Sequence, residues 1–290
     1  MSIALRKEYI TALDEVLKNA SVTGNLTADP EVVKAGANAE EILIPKYDMD
    51  GLADYSKASG YVTGDVSLEY ETVKCDFDRG RKFNIDTVDN MDTANVLYAK
   101  LAKEFIRTKV APEMDAWRFA KLAGTSNIGT TDAAALSTGA NVLAALRAAN
   151  DALDDGEVPA EDRVLYITPA LLGLVEDLDT TKSRAVLASF KEIRKVPQSR
   201  FYTKITQYDG TTSGQTAGGY IKDATNGKNI NFMVVWEPAV ISYSKHVGEK
   251  VFTPEENQAT DGYLYCYRNV AMCRVKDNAV KGIYLHKSTT

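Results

Sequence analysis

VSLEYETVKCDFDRGRKFNID, residues 66–86, decides the fold. Val66, Leu68 and Tyr70 alternate with Ser67, Glu69 and Glu71, and the phase then slips by one to Val73, Cys75 and Phe77. Asp78-Arg79-Gly80 has turn chemistry, and Phe83 and Ile85 resume the alternation, so the stretch reads as one long β-hairpin. Each arm of roughly 10 residues would span about 33 Å at strand rise. A two-stranded ribbon of that length is marginal alone in water. It needs partners elsewhere in the chain or on another copy of it, and the second option makes the chain a building block.

Working outward, Ile3 to Lys18 reads as a helix and Asn19 to Glu40 as an irregular arm punctuated by Gly24, Pro30 and Gly36. Glu41 to Lys46 is a short strand broken at Pro45, and Tyr47 to Gly64 is loop-like. Met91 to Gly124 carries the strongest helical signal, with Leu97, Leu101, Phe105, Val110, Met114 and Trp117 near helical spacing. Its full span would be about 50 Å. Pro112 inside it predicts a kink or break near Val110.

Gly124 to Ser137 is small and polar, a seam between domains. A compact α/β pattern follows, with strands at Arg163–Ile167, Phe201–Thr206 and Asn231–Trp236 and a flexible loop at Gly210–Gly219. From Ala239 long alternating strands take over. Tyr263, Tyr265 and Tyr267 share one face, Lys276-Asp277-Asn278 turns the chain, and Val280 to His286 returns as antiparallel sheet. The helix at 91–124 and the strands after 239 are expected to pack together, which makes residues 138–238 an insert.

Composition excludes several classes. The 290 residues are 44% hydrophobic and 26% charged, enough for a substantial core. Net charge is −6, with no basic run of the kind a nucleic-acid reader carries. Cys75, Cys266 and Cys273 form no CxxC pair and read as reduced thiols of a cytosolic chain. No apolar run approaches the roughly 18 residues of a membrane span. No phosphate loop, HExxH or GxSxG is present, so no catalytic, cofactor or metal residue is assigned. His246 and His286 read as structural, and Asp48-Met49-Asp50-Gly51 as a solvated turn without the ligands of a calcium loop. The three tyrosines could stack bases, but packing on the long helix is the plainer reading. Asp78, Arg79, Arg81 and Lys82 at the hairpin tip, with Lys74 nearby, are candidate contacts across a subunit boundary, where arginine grips a carboxylate bidentately. The plain alternative is a solvated turn.

Four stretches in this order resemble one family: VTGDVSLEYETVKCDFDRGRKFNID (62–86), MDTANVLYAKLAKEFIRTKVAPEMDAWRFAKLA (91–123), FKEIRKVPQSRFY (190–202) and CYRNVAMCRVKDNAVKGIYLH (266–286). They are similar to the major capsid proteins of tailed bacteriophages, with the Hong Kong 97-type coat fold. The resemblance implies an α+β fold with an N-terminal arm (1–40), an extended loop (41–90), a peripheral domain with a long spine helix (91–137 and 239–290) and an inserted axial α/β domain (138–238). It implies hexamers and pentamers of an icosahedral head assembled in the host cytoplasm, extended loops lying over neighbouring subunits, a portal protein, and packaged double-stranded DNA contacted without sequence specificity. Some members fuse a scaffolding segment ahead of the arm, and with the arm beginning at or near Met1 a separate scaffolding protein is expected. It implies no enzyme activity, cofactor or membrane. Some members cross-link a loop lysine to an asparagine; Lys74 and Lys82 lie in the matching region, with no partner residue assigned. Two other readings stand beside it: an encapsulin-like compartment shell, and a small-molecule-binding protein or enzyme with an unrecognised site.

Overall fold

The computed structural model describes residues 20–26, 34–35, 41–86, 102–133, 136–258 and 260–289. The helix expected over 3–18, most of the arm and the first third of the long helix, residues 91–101, lie outside these residues.

Residues 66–86 do not form a hairpin with each other. Strand β2 (Glu41–Met49) pairs antiparallel with β3 (Val66–Lys74), from Glu41 opposite Lys74 to Met49 opposite Val66, and the two-residue β1 (Lys34–Ala35) flanks β2. β2 runs through Pro45. β4 (Phe77–Asp86) instead joins a second sheet of order β11-β12-β4, beside β11 (Val240–Phe252) and β12 (Gly262–Val275). The phase slip before Val73 is where the chain leaves the ribbon for the core: Leu68 and Tyr70 are exposed, whereas Val73, Phe77 and Ile85 are buried. Asp78-Arg79-Gly80 is therefore strand, not turn. A Cβ at Gly80 would stand 2.7 Å from the Tyr267 carbonyl oxygen, so this glycine permits close strand approach.

The spine helix is described from Ala102. It widens to π-helical winding over Ile106–Val110, where the Ala111 amide donates to the Ile106 carbonyl, and continues as α1 (Ala111–Ala123). Pro112 has no N–H and its ring crowds the preceding turn, so the break expected near Val110 takes the form of this wider turn. Met114, Trp117, Phe119 and Leu122 are buried; Met114 and Trp117 face the β11-β12-β4 sheet at Asn269 and Phe77, whereas Phe119 meets Tyr166 and Phe201 edge-on. The Trp117 ring lies 4.9 Å from that of Phe77, and Phe105 meets Tyr267 edge-on at 5.9 Å. Tyr265 and Tyr267 are buried there, which is the packing role expected of them.

A five-stranded sheet of order β5-β13-β10-β6-β7 forms the other half. It contains β5 (Gly129–Ala133), β6 (Arg163–Ile167), β7 (Glu192–Lys195), β10 (Ile230–Trp236) and β13 (Ile283–Ser288). Helices α2 (Gly139–Asp155), α3 (Pro169–Glu176) and α4 (Thr181–Ala188) cover it through Val142, Leu146, Leu153, Leu172 and Val186. Thr180 and Ser183 cap α4 reciprocally. The short pair β8 (Ile205–Gln207) and β9 (Tyr220–Lys222) carries the glycine-rich loop. The return strand does not pair with β12 as expected. After a 3-10 stretch at Asp277–Gly282, β13 pairs antiparallel with β10 and parallel with β5. Ile283, Tyr284, Leu285 and His286 are all buried, as a strand inside a covered sheet requires.

Candidate functional site

Two surfaces stand out, one convex and one concave. The convex one is the β2–β3 ribbon with its loop at 50–65. The Asp50 amide donates to the Asp65 carbonyl at 3.1 Å, and the Asp65 amide to Asp50 Oδ2 at 2.8 Å, closing the base of the loop. Ser56 and Gly60 exchange backbone hydrogen bonds in a tighter turn, with Gly60 at φ +79°. The rings of Tyr55 and Tyr61 lie 4.9 Å apart. Leu52 is fully exposed and Tyr61 is 90% exposed, with Met49, Val62 and Val66 also in the open. Six large apolar side chains within residues 49–66 therefore stand in water, a concentration that marks an interaction surface.

The concave surface lies beside β4, between the π-helical turn and the β8–β9 loop. It encloses about 860 Å³ and is lined by Phe83, Phe105, Lys109, Tyr202, Tyr208 and Tyr220 among others. Strand alternation sends Arg79, Arg81 and Phe83 to this side. Arg79 Nε donates to Glu113 Oε1 at 2.8 Å, and Gln207 Nε2 donates to the same oxygen at 3.2 Å. Arg79 Nη2 also reaches the Gly219 carbonyl at 3.4 Å. Arg81 Nη2 donates to the Thr216 carbonyl at 3.0 Å.

The glycine-rich loop is shaped around the Arg81 guanidinium. A Cβ at Gly210 would stand 3.0 Å from Arg81 Nη1, and one at Gly218 3.3 Å, and both glycines have positive φ. Asp209 organises the loop by accepting from the amides of Thr211 and Thr212 and from the Thr212 hydroxyl, which holds its carboxyl far below the usual range.

The sequence-derived contact residues thus divide. Arg79 and Arg81 stitch β4 to α1 and the β8–β9 loop within one chain. Asp78 takes a bidentate grip from Arg268 on the neighbouring strand, whose hydrogen bonds hold its carboxyl below the ordinary value. Lys74 and Lys82 are exposed. None of the five stands at a hairpin tip, because the tip of the ribbon is the loop at 50–65. Sequence reasoning passed over that loop; its signal was Leu52, Tyr55, Tyr61 and Val62 standing in an otherwise Gly, Ser and Asp-rich segment.

A buried polar centre, also missed, ties residues 20–26 to α1. Asp115 is fully buried, and its Oδ1 accepts from Ser21 Oγ at 2.6 Å, Thr23 Oγ1 at 2.7 Å and the Thr23 amide at 3.1 Å. Its Oδ2 accepts from the Val22 amide and from Arg200. Arg118 and Arg194 donate to the carbonyls of Thr23 and Val22, and Asn25 links Tyr166 to Glu237. A carboxylate so enclosed needs this many donors.

Among the described residues no group of His, Cys, Asp and Glu is arranged to hold a metal ion, and no helix is long and apolar enough to cross a membrane. Burial pushes the Cys273 thiol up to about 11.

No family model and no curated protein matches the chain. Solved structures do. One from Gordonia phage Cozz superposes with a TM-score of 0.61 at 12% identity, covering 93% of this chain and 87% of that one. The capsid structure of the cyanophage P-SCSP1u gives 0.59 at 13% identity, over 88% and 85%. A virus-like particle from Pyrococcus furiosus gives 0.54 at 12% identity, over 96% and 99%. A likeness of this extent at such low identity fixes the architecture: the chain has the Hong Kong 97-like capsid fold.

Proposed function

We propose that this chain is a structural shell subunit, a major capsid protein that self-assembles into hexamers and pentamers of an icosahedral phage head around double-stranded DNA. The observation that carries the reading is the ribbon. Its apolar tip is exposed on an isolated chain, and beyond the two-residue β1 it is a two-stranded ribbon, marginal in water without further contact. The fold shared with phage capsid structures supports it.

In this reading residues 1–40 serve as the arm, 41–90 as the extended loop, 91–137 with 239–290 as the peripheral domain, and 138–238 as the axial domain. The axial part draws β5 and β13 from the flanking segments into its sheet. The buried Asp115 centre anchors the arm at residues 20–26. Lys74 and Lys82 are the free members of the candidate contact set. A separate scaffolding protein, a portal and the packaged DNA are its partners, and the virion is its place, after assembly in the host cytoplasm. The role is structural, not enzymatic. The acids of the groove support this, since Glu113 is engaged by Arg79 and Gln207, and Asp209 by its own loop.

The likeness to the Pyrococcus furiosus particle favours one second reading, a shell that encloses protein cargo. Negative-stain microscopy of the purified chain tests the assembly, and the particle contents separate the two: genome-length DNA for a phage head, a protein for a compartment. A protein that stays monomeric across salt, pH and scaffold conditions would overturn both.

A further inference from the structure

We infer that Tyr55 and Tyr61 form a site of oxidative coupling, where a one-electron oxidant joins the two rings into a dityrosine clip across the ribbon loop. The inference is independent of the shell-subunit reading, because every residue it uses lies in one short loop of one chain.

The backbone sets the pair. The Ser56 amide donates to the Gly60 carbonyl at 3.2 Å and the Gly60 amide to the Ser56 carbonyl at 2.7 Å, the hydrogen-bonded rung of a small antiparallel turn. The next rung outward is Tyr55 opposite Tyr61. A rung without its own hydrogen bonds brings facing side chains closest, and the two ring centroids are 4.9 Å apart. The turn is fixed from within. Ser56 Oγ accepts from the amides of Ala58 and Ser59, and Gly60 supplies φ +79°. Below it, the Asp50–Asp65 hydrogen bonds close the loop base.

Access and chemistry agree with the geometry. Tyr55 is 61% exposed and Tyr61 90%, so an oxidant reaches both phenols. Tyr166, Tyr265, Tyr267 and Tyr284 are buried, and each packs its ring on a phenylalanine, which has no phenol to couple. In the reaction each phenol of the loop gives up one electron and its hydroxyl proton. The two phenoxyl radicals join by a carbon–carbon bond between ring positions beside the hydroxyls. The hydrogens on those carbons then return to the oxygens as protons. The net change is the loss of two hydrogen atoms. With a haem peroxidase as oxidant, they reduce one hydrogen peroxide to two waters. Two rings on one short loop meet at an effective concentration of order millimolar, so at ~10 μM subunit coupling within a loop outruns coupling between copies by on the order of a hundredfold.

The test uses the full chain. Isotopically light and heavy copies are mixed at that concentration and treated with a haem peroxidase and limiting hydrogen peroxide, and the products are mapped by mass spectrometry. The expected product is a Tyr55–Tyr61 cross-link, two hydrogens lighter than the parent, in light–light and heavy–heavy form only, with dityrosine fluorescence. Tyr61→Phe should abolish the cross-link. Gly60→Val strains the positive-φ turn and should lower the yield about tenfold while both rings stay exposed. Equal yield from Gly60→Val, or heavy–light adducts in comparable amount, would show coupling by exposure alone and overturn the site. Oxidation that leaves Tyr55 and Tyr61 unlinked would overturn it as well.

Discussion

Arg79 and Glu113 meet where β4 crosses the start of α1, with Nε donating to Oε1 at 2.8 Å. Both side chains are largely shielded, and Gln207 adds a third element to the contact. Arg79→Ala should therefore destabilise the isolated subunit by about 1–2 kcal/mol, above the range of a solvated ion pair. A double-mutant cycle with Glu113→Ala checks it by denaturant unfolding. Additive effects would return Arg79 to the surface.

Asp115 should matter more. Asp115→Ala removes the acceptor for Ser21, Val22, Thr23 and Arg200 at once and leaves buried donors without a partner. The expected loss is about 3–5 kcal/mol. Hydrogen exchange should show the Val22 and Thr23 amides losing protection ahead of the core strands. Unchanged protection at those amides would contradict the anchor.

Trp117 packs in the core against Phe77, so Trp117→Ala should cost about 3–5 kcal/mol. The melting temperature reads this directly. Substitutions in the ribbon tip, such as Leu52→Ala, should leave it unmoved.

The Asp78–Arg268 pair gives a pH signature. The Arg268 guanidinium depresses the Asp78 pKa below 3.8. Stabilisation from the pair is then fully present above the ordinary carboxylate value and is lost as pH falls through the folded-state pKa. Arg268→Ala should bring the Asp78 titration, followed by carboxyl NMR, back toward 3.8. The stability gap between the two proteins should close in acid. An unshifted titration in the variant would contradict the bidentate grip.

The sequence revealed elements better than partners. The helical stripe through Met114 and Trp117 and the inward-facing tyrosines of β12 follow from local periodicity, and the structure has both; the kink or break expected near Val110 is instead a π-helical turn in a helix that continues. The hairpin at 66–86 misled because alternation identifies strands without saying which strands pair, and because Gly80 mimics a turn while serving close approach to Tyr267. The same limit misplaced β13, whose partners β10 and β5 are remote in sequence. The ribbon tip was hidden by its turn-rich composition. Asp115 was hidden by a helical position between Met114 and Ala116, where nothing local announces a partner some 90 residues earlier.

The central claim, assembly through the ribbon, is tested most directly by electron microscopy of the wild type beside a variant whose residues 50–65 are replaced by a short turn. The wild type should form closed shells. The variant should melt at the same temperature and remain as unassembled subunits. Shells of equal yield from the variant would contradict the account.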